Sequence, residues 1–428
     1  MKKILSTLII LCFTSMLFSQ YYFPPKTGTT WETTNPNSLG WCQDSIISLY
    51  NFLDSGKTKG FIVLKDGKIV LEQYFNGHGR DSAWYWASAG KTMVSFLIGK
   101  AQEQGFLNIS DSTSQHLGKG WTSLTQGQEG KISIKDQLCM TTGLDYTQAD
   151  CIAPICLTYW KDAGTGWHYH NPPYSLLRTV LENATGKNIN TYMVQELTQK
   201  TGISGSWFFI SPNNVLFSTT RSMARFGSLI LNKGKWDGAT ILGDTNYIKA
   251  SVNTSQTLNK SYGYLWWLNG KESYKFPGTT LQFNGPLLPD APSDMYAGIG
   301  KDGQYVSVIP SQNMVVIRMG QDPDNLPVPT DYLNRLFKKI GQLSCNNSNL
   351  DMAESNRQIL VYPNPSNVDI IQIKATNPQI VFIYNIQGQL VKTIYPTDFN
   401  NNIASLENLP SGIYIANSGG NNVRFVVN

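Results

Sequence analysis

The sequence predicts a chain of the α/β class in the α+β sense: an antiparallel sheet flanked by helices, a helical lobe beside it, and a small all-β sandwich domain after it. Three observations predict this. Apolar hairpin patterns lie near both ends of residues 21–343, so the two ends share one sheet, and helical patterns fill the stretch between them. Residues 92–104 are apolar nearly all round (Met93, Val94, Phe96, Leu97, Ile98), as a helix buried on every side would be. Beyond residue 358 the chain breaks into short alternating strands punctuated by Pro, Asn and Gly.

The elements follow in chain order. Lys2 and Lys3 precede an apolar stretch from Ile4 to Phe18 that ends at Ser19-Gln20, the layout of a secretory signal peptide over residues 1–20. That stretch is shorter than the roughly 20 apolar residues a membrane span needs. No later segment is long and apolar enough either, so no stable transmembrane segment is expected. Lys59 to Tyr74 reads as a β-hairpin turning at Asp66-Gly67, the dipeptide that best tolerates the positive φ angles of a tight turn. Gly105 stops the buried helix. Further helices are expected at Ile134–Met140, Pro173–Ala184, Asn190–Lys200 and Arg221–Asn232, and a second hairpin at Gln304–Pro310 and Met314–Met319. Residues 344–358 are polar and aperiodic, a linker by composition, and 359–428 form the all-β module.

Composition excludes several function classes. Lys plus Arg exceed Asp plus Glu by 34 to 29, and the excess is spread thinly, without the basic patch or stripe that nucleic-acid binding needs. Five cysteines remain once the first 20 residues are set aside; Cys151 and Cys156 are close enough to close a small loop in an oxidising compartment, while Cys42, Cys139 and Cys345 are scattered. No CxxC pair exists. His168-Tyr169-His170 alternates so that both imidazoles would share one face of a strand, but no further ligands stand at metal spacing. Neither a metal nor an organic cofactor is expected.

The chemistry points to Ser88-Ala89-Gly90-Lys91 at the start of the buried helix. A Ser and a Lys three apart lie on one helix face, a turn from each other. At the first turn the serine hydroxyl and its own N–H sit at the positive end of the helix dipole, where a developing oxyanion is favoured. Burial would lower the pKa of Lys91 and let it act as a neutral base toward Ser88. Competing motifs fail. No Gly-x-Ser-x-Gly elbow occurs. Gly56-Lys57-Thr58 and Gly90-Lys91-Thr92 lack the earlier glycine of a phosphate-binding loop, Asn51 and Tyr85 standing in its place.

Residues 84–105, with Ser88 and Lys91, resemble the first box of class C β-lactamase-like hydrolases, and Ile132 to Asp145 is similar to the helix and loop that follow it. Tyr169-His170-Asn171 resembles the family's Tyr-x-Asn box, and Lys301-Asp302-Gly303 its third box, a Lys or His, any residue, then Gly on the strand lining the cleft. The resemblance covers roughly residues 30–340 and implies the β-lactamase/transpeptidase-like fold. It implies that Tyr169 relays protons, that Asn171 holds the lysine and the substrate carbonyl side, and that Lys301 and Gly303 line the cleft. The backbone N–H of Gln304 would then pair with that of Ser88 around the oxyanion. Asp302 departs from the Thr or Ser of many true β-lactamases. It would place a negative charge where a β-lactam carboxylate binds, which favours an esterase, amidase or peptidase such as the 6-aminohexanoate-dimer hydrolase-like group. Residues 361–366, 383–391 and 409–414 resemble the type IX secretion sorting domain, which implies export by that machinery across the outer membrane.

The expectation is therefore a secreted or cell-surface serine hydrolase that cleaves a small-molecule ester, amide or peptide through a Ser88 acyl-enzyme. The alternatives are a D-alanyl-D-alanine carboxypeptidase or penicillin-binding protein, and a catalytically inactive surface binding protein. Trp84, Trp86, Trp160, Tyr262 and Trp266 are expected to line the cleft.

Overall fold

The computed structural model describes residues 21–323, 328–345, 359–362, 370–375, 378–385, 389–418 and 421–427. The expected signal peptide, most of the expected linker, and residues 363–366 and 386–388 of the sorting-domain pattern lie outside them. The chain divides into two compact units, residues 1–345 and 346–428.

In the first unit α1 (Gln43–Ser55) leads into β1 (Thr58–Lys65) and β2 (Lys68–Tyr74). The buried helix α2 (Lys91–Glu103), then α3 (Asn171–Thr185) and α4 (Thr220–Leu231), come from the middle of the chain. Four further strands of the main sheet are β3 (Trp267–Leu268), β4 (Tyr296–Gly300), β5 (Gln304–Ile309) and β6 (Met314–Gly320), and α5 (Thr330–Gly341) closes the unit. The strands form one antiparallel sheet in the order β2-β1-β6-β5-β4-β3, so the first and last hairpins meet as the sequence predicts. The β1–β2 turn carries Asp66 at φ 51° and Gly67 at φ 84°, the double positive φ that Asp-Gly was expected to supply.

Apolar packing fixes the layers. Ile62, Val63 and Leu64 of β1 lie opposite Ile317, Val316 and Val315 of β6, all fully buried, and α4 packs on β1, β5 and β6. Every residue of α2 from Lys91 to Gly99 is buried, which explains its lack of a polar face. α3 begins at Asn171, two residues before the expected Pro173, because Pro172 and Pro173 occupy a first helical turn whose N–H groups have no intrahelical partner. The helix expected at Asn190–Lys200 spans Ile189 to Thr201 with a π-helical turn at Val194–Thr198. Cys151 and Cys156 are disulfide-bonded. So are Cys42 and Cys345, which the sequence left scattered and which lie 303 residues apart; Cys139 is free and buried.

The described residues of the second unit form two antiparallel sheets. One joins Ile359–Tyr362, Ile370–Ala375 and Ile403–Glu407; the other joins Leu390–Ile394, Val381–Asn385, Gly412–Ser418 and Asn421–Val427. Alternate residues, among them Ile373, Ile383, Leu406 and Phe425, form an apolar core. Among the described residues no helix is long and apolar enough to cross a membrane.

Candidate active site

The turn before α2 is held from behind. The strand Ala83–Tyr85 pairs with Asn213–Thr219, Trp86 donates its backbone N–H to Leu216 O at 2.8 Å, and its indole N–H reaches Ser218 Oγ at 2.7 Å. Ala87 then takes φ 46°, a left-handed conformation that costs a non-glycine residue about 1–2 kcal/mol and turns the chain sharply. A 3-10 turn, Ala87–Gly90, runs straight into α2 and leaves Ser88 one turn from Lys91.

Lys91 Nζ and Ser88 Oγ are hydrogen-bonded at 2.8 Å. Lys91 is 4% exposed and lies over two rings, 4.1 Å from the centroid of Tyr174 and 5.1 Å from that of Tyr169. Ring faces favour a cation, but desolvation by burial outweighs them. Burial lowers the Lys91 pKa from 10.5 to about 7. Tyr169, just ahead of α3, stacks on Trp267 at 5.8 Å and meets Tyr262 edge-on at 6.3 Å. Tyr169 is partly buried and packs against the core. That burial raises its phenol pKa above the ordinary value, opposed by a hydrogen bond with the neighbouring Ser88 hydroxyl.

Ser88, Lys91, Tyr169, Asn171 and Lys301 line one cavity of about 690 Å³. Three of the expectations for the rest of the site are corrected. First, Lys301 sits in the turn after β4 rather than on a strand, and Gly303 and Gln304 do not line the cavity. Gln304 is fully buried in β5, its backbone opposite Gly300 and its side-chain amide bonded to Gly320. The strand that meets the nucleophile is β4. A Cβ on Gly300 would stand 3.1 Å from Ser88 N and 2.5 Å from Trp86 O, so only glycine permits this approach. Second, the Asp302 carboxylate accepts a hydrogen bond from the Tyr85 hydroxyl instead of pointing free into the cleft. Third, Trp86, Tyr262 and Trp266 are core residues, and neither Trp84 nor Trp160 lines the cavity; its aromatic lining is Tyr85, Tyr146, Tyr169 and Tyr174.

Sequence reasoning missed Arg318. Fully buried in β6, it donates to the carbonyls of Asp302 and Gly303 at 3.1 and 2.6 Å, to Gly56 O at 2.5 Å and to Thr58 Oγ1 at 3.0 Å. It thereby fixes the turn that carries Lys301. A lone Arg in an apolar strand pattern is the one signal that could have drawn attention to it. Among the described residues no group of three or more His, Cys, Asp or Glu is placed to hold a metal ion.

Comparison with known proteins gives two family matches. The family described as Beta-lactamase matches residues 53–336, and the Secretion system C-terminal sorting domain matches residues 360–427. The chain is 20% identical to the 6-aminohexanoate-dimer hydrolase of Paenarthrobacter ureafaciens over 317 residues, covering 64% of this chain and 74% of that one. Among solved structures, a penicillin-binding protein homologue from Caulobacter crescentus matches with TM-score 0.53 at 12% identity, over 71% of this chain and 98% of its own. A family VIII carboxylesterase matches with TM-score 0.52 at 11% identity, over 73% of this chain and 99% of its own. At such identities the two structures bear on the fold alone.

Proposed function

Because this chain belongs to the Beta-lactamase family, we propose that it is an exported serine hydrolase that cleaves an ester or amide through an acyl-enzyme on Ser88. The observation that carries the reading is the 2.8 Å contact between Ser88 Oγ and a buried Lys91 whose pKa is lowered to about 7. Near neutral pH much of that amine is uncharged, and its lone pair takes the hydroxyl proton as Oγ attacks the carbonyl carbon. The carbonyl π pair moves onto oxygen and forms a tetrahedral oxyanion.

Two N–H groups suit that oxyanion. One is Ser88 N–H. The other follows from strand parity. Met295 O accepts from Asn269 N on the β3 side, and alternate residues of an antiparallel strand turn both backbone groups to the same edge. Ala297 and Ile299 therefore address that edge too. β3 pairs only as far as Ala297, which leaves Ile299 N–H facing the Ser88 turn. Ile299 thus takes the part expected of Gln304.

Collapse of the intermediate breaks the bond to the leaving group, which receives the proton from Lys91 by way of the Tyr169 hydroxyl. A water molecule then attacks the acyl carbon, gives its proton to the same pair, and frees the acid and Ser88. The high phenol pKa keeps Tyr169 protonated, so it relays a proton rather than acting as a standing phenolate. The sorting domain at residues 360–427 supports a secreted or cell-surface location reached through the type IX machinery.

Mass spectrometry after exposure to a fluorophosphonate, and separately to a penicillin, tests the reading. A stable adduct on Ser88 with either reagent is expected. Folded protein that acquires none would instead be a binding protein of this fold.

A further inference from the structure

The small sheet that holds the nucleophile turn has a third strand, Ser206–Ile210, paired with Asn213–Thr219. Residues directly opposite each other across an antiparallel pair carry their side chains on one face. Tyr85 lies opposite Phe217, Val215 opposite Phe208, and Asn213 opposite Ile210. Tyr85, Asn213 and Val215 line the cavity. Their face of the sheet therefore runs on past the cavity over Phe217, Phe208 and Ile210. Ring contacts trace the same path, with Phe217 6.2 Å from Tyr85 and 5.5 Å from Phe208.

That extension is open to solvent and apolar. Phe208 and Ile210 are 52% and 55% exposed, unusual for large apolar side chains two apart on one strand. Ala83, Ser206 and Thr219 complete the face, so it holds no charged residue. Contiguous exposed apolar surface of this kind marks a binding site. Its position says what binds. The outer edge of Ser206–Ile210 is closed at Trp207, whose N–H donates to Asn190 Oδ1 at 2.7 Å and whose carbonyl accepts from Asn190 Nδ2 at 3.1 Å. Another chain adding a strand there would have to break both bonds. A folded partner laid on the face would cover Tyr85 and Val215, which belong to the cavity. An apolar chain leaving the cavity covers the same surface and leaves Ser88 open to its own substrate.

We infer that the substrate is an ester or amide with an extended apolar chain, which leaves the cavity and lies along Phe217, Phe208 and Ile210. This rests on the hydrolase reading above and adds to it the chemical class of the substrate. A methylene fully withdrawn from water favours binding by about fourfold, and one covered on a single side by about twofold.

The test compares second-order rate constants for labelling Ser88 with alkyl fluorophosphonates whose chains run from two to twelve carbons, each used below the concentration at which it forms micelles. The twelve-carbon reagent is expected to exceed the four-carbon one by about tenfold or more. Phe208→Ser combined with Ile210→Ser should lower that ratio by about fivefold or more, and Phe208→Leu, which keeps an apolar side chain, should retain most of it. The ratio is the readout, because loss of fold slows every reagent together. A wild-type rate that does not depend on chain length, or a ratio that the double variant leaves intact, would overturn the inference while labelling of Ser88 leaves the hydrolase reading standing. So would a dimer in sedimentation that Phe208→Ser dissociates, since the face would then join two copies of the chain. Failure of labelling at every length removes both readings.

Discussion

The turn that carries Ser88 and the segment that carries Tyr169 are held by different forces. Hydrogen bonds fix the turn: Trp86 is anchored through its backbone N–H and its indole N–H, Thr92 Oγ1 donates to Ala89 O at 2.7 Å, and Lys91 Nζ bonds Ser88 Oγ. Rings hold Tyr169, with Trp267 stacked at 5.8 Å and Tyr262 edge-on at 6.3 Å. Directional bonds set an atom's position more tightly than ring contacts do. Groups that must stabilise a transition state gain from being fixed before substrate arrives, since no reorganisation is then needed during reaction. Substitutions in the turn should therefore damage turnover most.

The largest effects should come from the turn. Ser88→Ala is expected to abolish adduct formation and lower kcat by more than 10³-fold. Lys91→Met should cost about 10²–10⁴-fold, the usual contribution of a general base, and either change should leave thermal stability intact or raised. Rate against pH sharpens the contrast. Lys91 must be neutral to accept the Ser88 proton and its pKa is lowered to about 7, so kcat/KM should rise as pH passes through about 7 and then level off. Stability should follow the same sign. Between about pH 7 and 10.5 the unfolded chain holds a proton on Lys91 that the folded chain lacks, so stability increases with pH across that window. Denaturant titrations at several pH values should show this slope in the wild type and lose it in Lys91→Met. A flat rate profile between pH 6 and 8 would mean that Lys91 is not the base.

Much of the fold was legible because it rests on local patterns. The Asp66-Gly67 turn, the apolar girth of α2 and the pairing of the terminal hairpins are all written in short runs of residues. Ser88 and Lys91 were legible for the same reason, one helical turn joining them whatever surrounds the helix. Features set by long-range contact were not. No element was expected at Tyr296–Gly300, which forms strand β4 because glycine lets it lie against the nucleophile turn. Missing that strand shifted the third box one strand too far and cast Gln304 as an oxyanion donor. The expected cleft aromatics failed because size alone does not separate a core tryptophan from a lining one; Trp86 and Trp266 both pack against Phe226. The Cys42–Cys345 bridge joins residues 303 apart, beyond any spacing argument.

Gly300→Ala tests that close approach. Its Cβ would fall 2.5 Å from Trp86 O and must push β4 away from Ser88. A displacement approaching 1 Å at a reacting centre is worth about 10²-fold in rate. The rate of fluorophosphonate labelling should fall by that order while circular dichroism stays native. Normal labelling would remove Ile299 N–H from the proposed chemistry.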